Sequence, residues 1–572
     1  MEFRLGSAAF IIVFATYLFL GGMGLTDRGN PEPRDAAYNL LARGLLSGHL
    51  YIDKAVPPGL ARLADPYDPE ANKAFRVDTT HRLHDLTYYR GRLYLYFGVA
   101  PALFIFIPWH LLTGAWLPHW AAVVFLCSAG LLVNLSLVHA IRVRVFPGSA
   151  PWMAAVQTLI LGLGSYGPVL LSRADMWEIP IAFSYLSVAI ALRCLWEGFC
   201  SPERATRWIA LASTALGVAF ASRPNVLPAA AMLILPFSFR ETRRDAWNWV
   251  AAAAPLAACG ACVAAYNYAR FASPFEFGTS YVLQGVYRAG GVPPFRAAYF
   301  WTNIRLHLFQ GVDWSAVFPF VREPEEWALR PNAGGMEHMS GALLNAPILW
   351  AALIVPAWIW TRRPGRAFGL FALSAGWAAL SSMLVLFLFA AACSRYQFEY
   401  APVLALLASV GVMMLESLPA GLPRAAARCA WVLALLFSSA FPVLYGIDRC
   451  VTDHNYFGIA CLARGNARAA EREFATARLL SPGNPFSRLE SGVALVSMGR
   501  PAEARAVFEA LVMDFPNDAM ARFNLANVLA GEGKLAEAIG QYRAALRLDP
   551  GNPVIRADLE TALAALARRQ SR

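Results

Sequence analysis

The sequence has few charged residues and almost no lysine. Charged residues make up 15% of the 572 positions and hydrophobic residues 57%, whereas an average soluble domain has about 25% charged and 45–50% apolar residues. Lysine occurs only at positions 54, 73 and 534, so the net charge of +11 is almost wholly arginine. The apolar excess lies in runs of roughly 17–25 residues, the length that spans a bilayer. This pattern excludes an ordinary soluble protein.

Sequence motifs of soluble enzymes are also missing. The chain has no Walker A, H-E-x-x-H or G-x-S-x-G motif. One G-x-G-x-x-G match, GLGSYG at 162–167, lies near the end of an apolar run, whereas a dinucleotide site needs a preceding strand. The nine cysteines are scattered, and the C-x-x-C pair Cys259/Cys262 lies inside an apolar run, so no disulfide framework is expected.

The apolar runs predict a polytopic bundle of α-helices with about eleven membrane spans. The first run follows Arg4 and has no evident cleavage site, so we interpret it as a retained span rather than a signal peptide. The expected spans are residues 7–24, 117–141, 151–171, 179–198, 207–221, 225–239, 247–269, 345–361, 367–392, 400–416 and 425–446.

The arginines orient this bundle. If the N-terminus is cytoplasmic and the apolar segment 93–113 does not cross, five basic connections lie in the cytoplasm, as the positive-inside rule requires. If the segment crosses, all five lie outside, so we expect it to be juxtamembrane or re-entrant. Loops 25–92 and 270–344 are then external, and arginine in short loops indicates topology rather than nucleic-acid binding. The basic connections hold Arg142/Arg144, Arg204/Arg207, Arg240/Arg243/Arg244, Arg362/Arg363/Arg366 and Arg424/Arg428.

Residues 453–570 show a different sequence pattern, in which residue types repeat every 34 positions. This spacing, with small, aromatic and proline positions, resembles tetratricopeptide repeats, which are helix–turn–helix units. Such repeats stack into an α-solenoid whose concave face binds a partner, so we expect a protein partner here. The repeated columns are Gly465/Gly499/Gly533, Ala470/Ala504/Ala538, Phe474/Phe508/Tyr542 and Pro482/Pro516/Pro550.

The stretch PEPRDAAYNLLARGLLSGHLYID, residues 31–53, follows the first span and contains Asp35. It resembles the first external loop of GT-C glycosyltransferases, the superfamily of protein O-mannosyltransferases and lipid A aminoarabinose transferases. The resemblance implies that Asp35 is the catalytic carboxylate. Because a polyprenyl phosphate is a good leaving group, the enzyme mainly needs a base for the acceptor hydroxyl. The alternative is that Asp35 only favours the dipole of the following helix.

Two later external segments resemble the same superfamily. LSRADMWEIP, residues 171–180, offers Glu178 and Asp175 as a second acid, with Glu178 better spaced from Ser172. SRYQFEYAP, residues 394–402, places Arg395 and Tyr396 at the mouth of a span, where arginine can pair with phosphate. The alternatives are a solvated turn and an interfacial anchor. Arg223 is a further phosphate candidate.

Segments 84–108 and 266–285 resemble a narrower bacterial group of GT-C-like proteins. Relatives have a phosphate-binding lysine near the start of 93–113, and here Arg90 or Arg92 is the substitute. His84, Asp85 and Asn267 are assigned to the substrate loops. Some GT-C enzymes use a divalent cation and others none, so the metal stays open. His81, His84 and Asp85 could bind one, although we favour substrate-loop polarity.

Together these features predict a membrane glycosyltransferase domain at 1–446 and a repeat domain at 453–570. The expected donor is a polyprenyl-phosphate-linked sugar, transferred with inversion to a glycan, lipid or protein acceptor outside a bacterial inner membrane, with Asp35 as general base. The N-terminus would be cytoplasmic and the repeats external. Rival predictions are an O-antigen ligase or protein O-oligosaccharyltransferase, a non-catalytic scaffold that displays the repeats, and a transporter, which the scarcity of intramembrane charge disfavours.

Overall fold

The computed structural model describes residues 2–24, 32–76, 83–284, 293–323, 336–337 and 339–570. The chain forms two compact units. The first consists of Met1–Asp313 and Glu323–Gly446, and the second of Trp314–Arg322 and Ile447–Arg572. The fold class expected from the sequence, a membrane bundle of α-helices followed by an α-solenoid, is confirmed.

Within the described ranges, six helices are long and apolar enough to cross a bilayer. They consist of roughly 20 or more residues with few charges, which is the requirement for a transmembrane helix. Together they make the chain a multi-pass membrane protein. The six are Arg4–Met23, within the helix Glu2–Met23, and His119–Val145, Glu178–Cys200, Ala246–Phe271, Arg366–Leu388 and Leu422–Leu462.

The remaining expected spans coincide with shorter or irregular helices. Prolines explain two of them, because Pro224–Ser238 and Pro347–Leu353 are wound as 3₁₀ helices that begin at proline. The other α-helices of this unit are Ala37–Leu46, Lys73–Arg76, Ile107–Thr113, Met153–Gly162, Gly167–Leu171, Ala205–Ser222, Arg240–Arg244, Phe300–Ile304, Ala342–Asn345, Ile354–Arg362 and Ala401–Glu416.

The expected span 151–171 is a broken helix. Met153–Gly162 and Gly167–Leu171 are separated by a turn in which Tyr166 has a φ of 65°. The Tyr17 hydroxyl donates to the Gly162 carbonyl at 2.7 Å, and thereby pairs an acceptor that the end of a helix leaves open.

The segment 93–113 starts as a strand and ends as a short helix. Its helical part, Ala102–Thr113, is followed by Gly114 with a φ of 71°, the left-handed conformation that ends helices. Twelve residues rise only about 18 Å, less than the roughly 30 Å hydrocarbon core. This length favours the expected juxtamembrane or re-entrant placement.

The strands are short and all lie in connections. Thr87–Tyr89 and Arg92–Tyr94 form an antiparallel hairpin, in which Tyr89 faces Arg92. Its two-residue turn, Arg90-Gly91, has positive φ at both positions, as a type I′ turn requires. The other pairs are Asp313–Trp314 with Val321–Arg322, and Met336–Glu337 parallel to Ala392–Cys393.

The second unit has the repeat structure expected from the sequence. The alanine column Ala470/Ala504/Ala538 is fully buried. Glycines of the Gly465 column have φ of 73° to 80°, so each repeat turns at a left-handed glycine. From Trp314–Arg322, the Phe318 carbonyl accepts a hydrogen bond from Ser481. The helices are the end of Leu422–Leu462, then Ala467–Leu480, Pro485–Ser497, Pro501–Asp514, Ala519–Gly531, Leu535–Leu548 and Pro553–Gln570.

Candidate active site

Asp35 lies in a 3₁₀ turn, Pro33–Asp35, just before the helix Ala37–Leu46, which we call the first-loop helix. Asn39 on this helix is fully buried. Its amide donates to the carbonyl of Pro33 at 2.6 Å and to that of Leu117 at 2.8 Å. The turn that carries Asp35 is therefore fixed to the start of the next span.

The first-loop helix is also packed closely on the chain that follows it. A Cβ atom on Gly44 would come within 2.1 Å of the Tyr51 carbonyl oxygen, so only glycine fits there. Gly48, with a φ of 79°, lies just beyond the end of the helix and turns the chain back. The two glycines of the quoted stretch therefore hold Asp35 on a rigid hairpin of helix and loop.

The Asp35 carboxylate is accessible, because 52% of its side-chain surface is exposed. Arg43, eight residues further on, lies 3.5 Å from Asp35 and 2.6 Å from the carboxylate of Asp53. Both carboxylates have the same exposure and share this arginine. Asp35 is thus held in place and open to a substrate.

His119 connects the first-loop helix to the loop that carries Asp175. Its Nε2 accepts from the backbone N–H of Tyr38 at 3.3 Å, and its Nδ1 lies 3.1 Å from Asp175 Oδ1. The partners assign a tautomer in which Nδ1 carries the proton and donates to Asp175. His119 is fully buried, and it satisfies a first-turn N–H that the helix itself cannot pair.

Asp175 and Glu178 belong to the acidic loop, residues 172–178, and both are buried. The Asp175 carboxylate accepts a hydrogen bond from the backbone N–H of Met176 at 2.6 Å. The backbone N–H of Asp175 donates to the Glu178 carboxylate at 3.2 Å. Burial alone would raise the pKa of Asp175, but the hydrogen bond from His119 and the charge of Arg173 outweigh it. The pKa therefore lies below its ordinary value, and the carboxylate is ionised.

Close packing brings the acidic loop to the end of the first span. A Cβ atom on Gly24 would come within 2.4 Å of the Ser172 carbonyl oxygen. A glycine at this position lets the last turn of the first span touch the backbone that leads into Asp175 and Glu178. The loop that carries Asp35 and the acidic loop therefore start from the same point.

One buried arginine, Arg395, faces the acidic loop from residues 394–399, which we call the arginine loop. Arg395 Nη1 lies 3.9 Å from Glu178 Oε1, beyond hydrogen-bond distance, so their contact is electrostatic. The Arg395 guanidinium also lies 5.9 Å from the ring centre of Trp177 and 5.4 Å from that of Tyr396. Arg173 stacks on the other side of this cluster, 4.5 Å from the Trp177 ring.

Arg223 joins the same cluster from the hinge before Pro224–Ser238. Its guanidinium lies 5.4 Å from the Tyr396 ring and forms an ion pair with Glu399. Asn225 donates to the other oxygen of the Glu399 carboxylate. Glu399 is nearly buried, with 4% of its side chain exposed. Breaking such a buried pair by removing one partner typically costs about 3–5 kcal/mol.

Asp85 and His84 reach the cluster through Trp177. The indole N–H of Trp177 donates to Asp85 Oδ2 at 2.9 Å, and His84 Nε2 lies 3.8 Å from the same oxygen. His81 lies outside the described residues. In the part of the chain that is described, no three His, Cys, Asp or Glu side chains are grouped so that they could hold a metal ion.

Three other predicted residues lie elsewhere in the fold. Arg90 and Arg92 are exposed on the hairpin, where Arg92 stacks 4.6 Å from the ring centre of Tyr51. Asn267 is fully buried and accepts from Arg270 at 2.7 Å. Arg270 in turn donates to the Leu95 carbonyl at 2.9 Å. Asn267 therefore contributes to the packing beneath the hairpin.

Sequence reasoning missed His119, Glu399, Trp177 and Arg173. Glu399, Trp177 and Arg173 were visible in the quoted loop motifs, between residues that were selected. His119 follows Pro118 at the start of a span, and a polar residue at that position is a weak signal by itself. Only the fold shows that these four side chains connect the predicted acids and arginines.

Comparison with known proteins identifies the second unit. The family model for the tetratricopeptide repeat matches residues 489–553. The C-terminal helices are tetratricopeptide repeats. The array is also similar to the first tetratricopeptide domain of human RPAP3, at 20% identity and a TM-score of 0.21, over 21% of this chain and 95% of that one.

The chain as a whole is similar to ArnT from Cupriavidus metallidurans. The crystal structure of ArnT bound to undecaprenyl phosphate matches at 12% identity and a TM-score of 0.40, over 90% of this chain and 80% of that one. The apo structure matches at 14% identity and a TM-score of 0.33, over 82% and 76%. A search of curated proteins gave no match. Likenesses this distant assign neither a reaction nor a substrate.

The site therefore has two chemical parts. An accessible carboxylate, Asp35, lies on the surface of a rigid first loop. His119 links that loop to a set of carboxylates and guanidiniums: Asp175, Glu178 and Arg395, which are buried, and Arg223, which is partly buried. Such an arrangement suits a reaction in which a base removes a proton while fixed cations stabilise a departing anion.

Proposed function

We propose that the chain is a membrane glycosyltransferase that moves a sugar from a polyprenyl-phosphate carrier to a hydroxyl acceptor on the external face of the membrane. The observation that supports the proposal is the joining of Asp35, through the first-loop helix and His119, to the buried cluster around Arg395. An exposed base next to buried cations is what inverting transfer from an anionic leaving group needs.

In the proposed reaction, Asp35 removes the proton from the acceptor hydroxyl. The acceptor oxygen forms a bond to the anomeric carbon as the bond from that carbon to the phosphate oxygen breaks. The configuration inverts, the proton stays on Asp35, and the electron pair leaves with the phosphate. Arg43, 3.5 Å from Asp35, orients the carboxylate before the transfer.

The departing phosphate would pair with Arg395. It would also pair with Arg223 once the headgroup approaches Tyr396, whose ring lies between the two arginines. Guanidinium groups suit this role because they stay charged when buried and bind phosphate bidentately. Glu178 balances the charge of Arg395 while the site is empty, and Asp175 fixes the loop that carries Glu178. Arg90 and Arg92, exposed on the hairpin, can meet the headgroup before it reaches the cluster.

The test compares Asp35→Asn with Asp53→Asn in full-length protein supplied with a polyprenyl-phosphate sugar. Both carboxylates are 52% exposed and both contact Arg43, so the two variants change the same surroundings. We expect Asp35→Asn to lower transfer by about 10² or more, and Asp53→Asn to stay within a few-fold of wild type. Equal activity in the two variants would exclude Asp35 as the base.

A non-catalytic scaffold is the second candidate, and the repeat match at residues 489–553 favours it. Tetratricopeptide arrays bind partners on their concave face. A scaffold would keep its cellular role in the Asp35→Asn variant, whereas the transferase would lose it. Complementation of a deletion strain with this variant therefore separates the two candidates.

We place the proposed enzyme in a bacterial inner membrane, with the N-terminus in the cytoplasm and the repeats outside. The arginine-rich connections support this orientation. The repeats would then recruit the acceptor or the protein that delivers it.

A further inference from the structure

A groove in the membrane unit is lined by side chains between residues 343 and 407 and by none of the predicted site residues. Its volume is about 690 Å³, within the roughly 300–1,000 Å³ range of ligand pockets. One wall is Pro347–Leu353 and Ile354–Arg362, the other is Arg366–Leu388, and Leu404 and Leu407 form the floor. The lining is almost entirely apolar, as the walls of a lipid chain site are.

Small residues keep the groove open. Gly369, Ala372, Gly376 and Ala379 line one wall, at the spacing that usually brings two helices into contact. Here that explanation fails, because a Cβ atom on Gly369 or Gly376 would meet no atom of the described chain within 4 Å. The stripe therefore faces open space rather than a neighbouring helix.

The two walls are joined by a basic turn, residues 362–366, with the sequence Arg-Arg-Pro-Gly-Arg. All three arginines are exposed, and Arg366 itself lines the groove. Trp360, 85% exposed, lines the same end, and tryptophan prefers the membrane interface. The apolar groove therefore matches the acyl chain of an anionic lipid, and the tryptophan and arginines at its end match the interfacial region and the charged headgroup.

We propose that this groove binds one anionic phospholipid of the cytoplasmic leaflet, with an acyl chain against Gly369 and Gly376 and the phosphate at Arg362 and Arg363. From Arg366 to Met383 the wall rises about 25 Å, and half of the hydrocarbon core is about 15 Å, so one acyl chain fits entirely. The arginines match the negative charge of that leaflet.

The test measures binding of phosphatidylglycerol and of phosphatidylcholine with the same acyl chains to full-length protein in detergent, by native mass spectrometry. Gly376→Leu fills the groove without meeting protein atoms, so we expect about tenfold weaker binding of both lipids. Gly260→Leu is the matched control, because a Cβ atom there also meets nothing within 4 Å, on another span and outside the groove. It should bind both lipids as wild type does.

The headgroup is tested with Arg362→Gln combined with Arg363→Asn, leaving Arg366 to keep its 2.7 Å bond to the Ser238 carbonyl. Each arginine near the membrane surface contributes about fivefold to binding of an anionic lipid. We therefore expect phosphatidylglycerol binding to weaken about 30-fold and phosphatidylcholine binding to stay unchanged. Arg243→Gln with Arg244→Gln removes the same charge from another exposed connection and should have no effect.

Three results would overturn the proposal. They are unchanged lipid binding in both Gly376→Leu and Gly369→Leu, unchanged phosphatidylglycerol binding in the paired arginine variant, or displacement of phosphatidylglycerol by undecaprenyl phosphate at equal concentration. The last result would assign the groove to an isoprenoid chain instead. None of these outcomes depends on transfer activity.

Discussion

Nδ1 of His119 lies 3.1 Å from Oδ1 of Asp175, and the two residues are 56 positions apart in the sequence. Because Nε2 of the same ring accepts from Tyr38, a single buried side chain connects the loop of the proposed base to the loop of the second acid. This connection makes His119 a positioning residue. It orients the two loops of the candidate site and is not required to touch a substrate.

Two substitutions of His119 should show how much its hydrogen bonds, rather than its size, contribute to stability and activity. His119→Ala leaves a buried N–H and a buried carboxylate without their partner, which costs about 1–3 kcal/mol. We expect a lower Tm and a lower kcat. His119→Gln keeps one donor and one acceptor, so it should recover most of the Tm and part of the kcat. An alanine variant with wild-type Tm and kcat would rule out the positioning role.

Acid stability should depend on Asp175. Burial opposes ionisation of this carboxyl, but His119 and Arg173 outweigh it, so its pKa in the folded protein is lowered. Its contribution to stability is then present above the unfolded value of about 3.9 and is lost as the pH falls through the folded value. We expect Tm to fall on acidification below about pH 4, and to fall less steeply in Asp175→Asn. Parallel curves for the two proteins would contradict this.

Two glycine-to-alanine substitutions in the repeats should change stability in opposite directions. A Cβ atom on Gly492 would lie 2.3 Å from the Phe508 ring, whereas one on Gly540 meets nothing within 4 Å. Gly540→Ala should therefore stabilise its helix by about 0.5–1 kcal/mol, and Gly492→Ala should destabilise the repeats. Hydrogen exchange of repeat amides measures both effects in the full-length protein. Stabilisation by both would show that Phe508 moves aside easily.

Reporter fusions test the orientation of the membrane unit. Fusions after residues 145, 242 and 364 should report the cytoplasm, because they follow arginine-rich connections. Fusions after residues 300 and 455 should report the external side. A cytoplasmic signal at residue 455 would mean that the segment 93–113 crosses the membrane.

Deleting the repeats should affect the acceptor and spare the donor. A chain ending after residue 446 keeps the first compact unit and lacks Ile447–Arg572. We expect it to transfer sugar to a small soluble acceptor at the wild-type rate and to lose transfer to its physiological acceptor. A weaker affinity for the lipid donor would instead show that the repeats support the active site.

The sequence by itself determined the membrane character and the repeats, and it selected most residues of the candidate site. Runs of apolar residues and a 34-residue period are local patterns, and each dictates a helix wherever the segment lies. Asp175, Glu178, Arg395 and Tyr396 were selected because the short loops that carry them resemble motifs of GT-C enzymes. The breaks in the helices were less visible. Tyr166 has a left-handed φ, which cannot be predicted from a tyrosine in the sequence.

Only the tertiary structure decided which of these charges face one another. Hydrogen bonds such as Tyr38 to His119 and Trp177 to Asp85 join residues 81 and 92 positions apart, and no pattern in the sequence specifies such pairs. Close approaches made possible by Gly24 and Gly44 set the loop positions. Asn267, selected with the substrate loops, packs on Arg270 instead. A buried polar group must find a partner, and the fold determines which one.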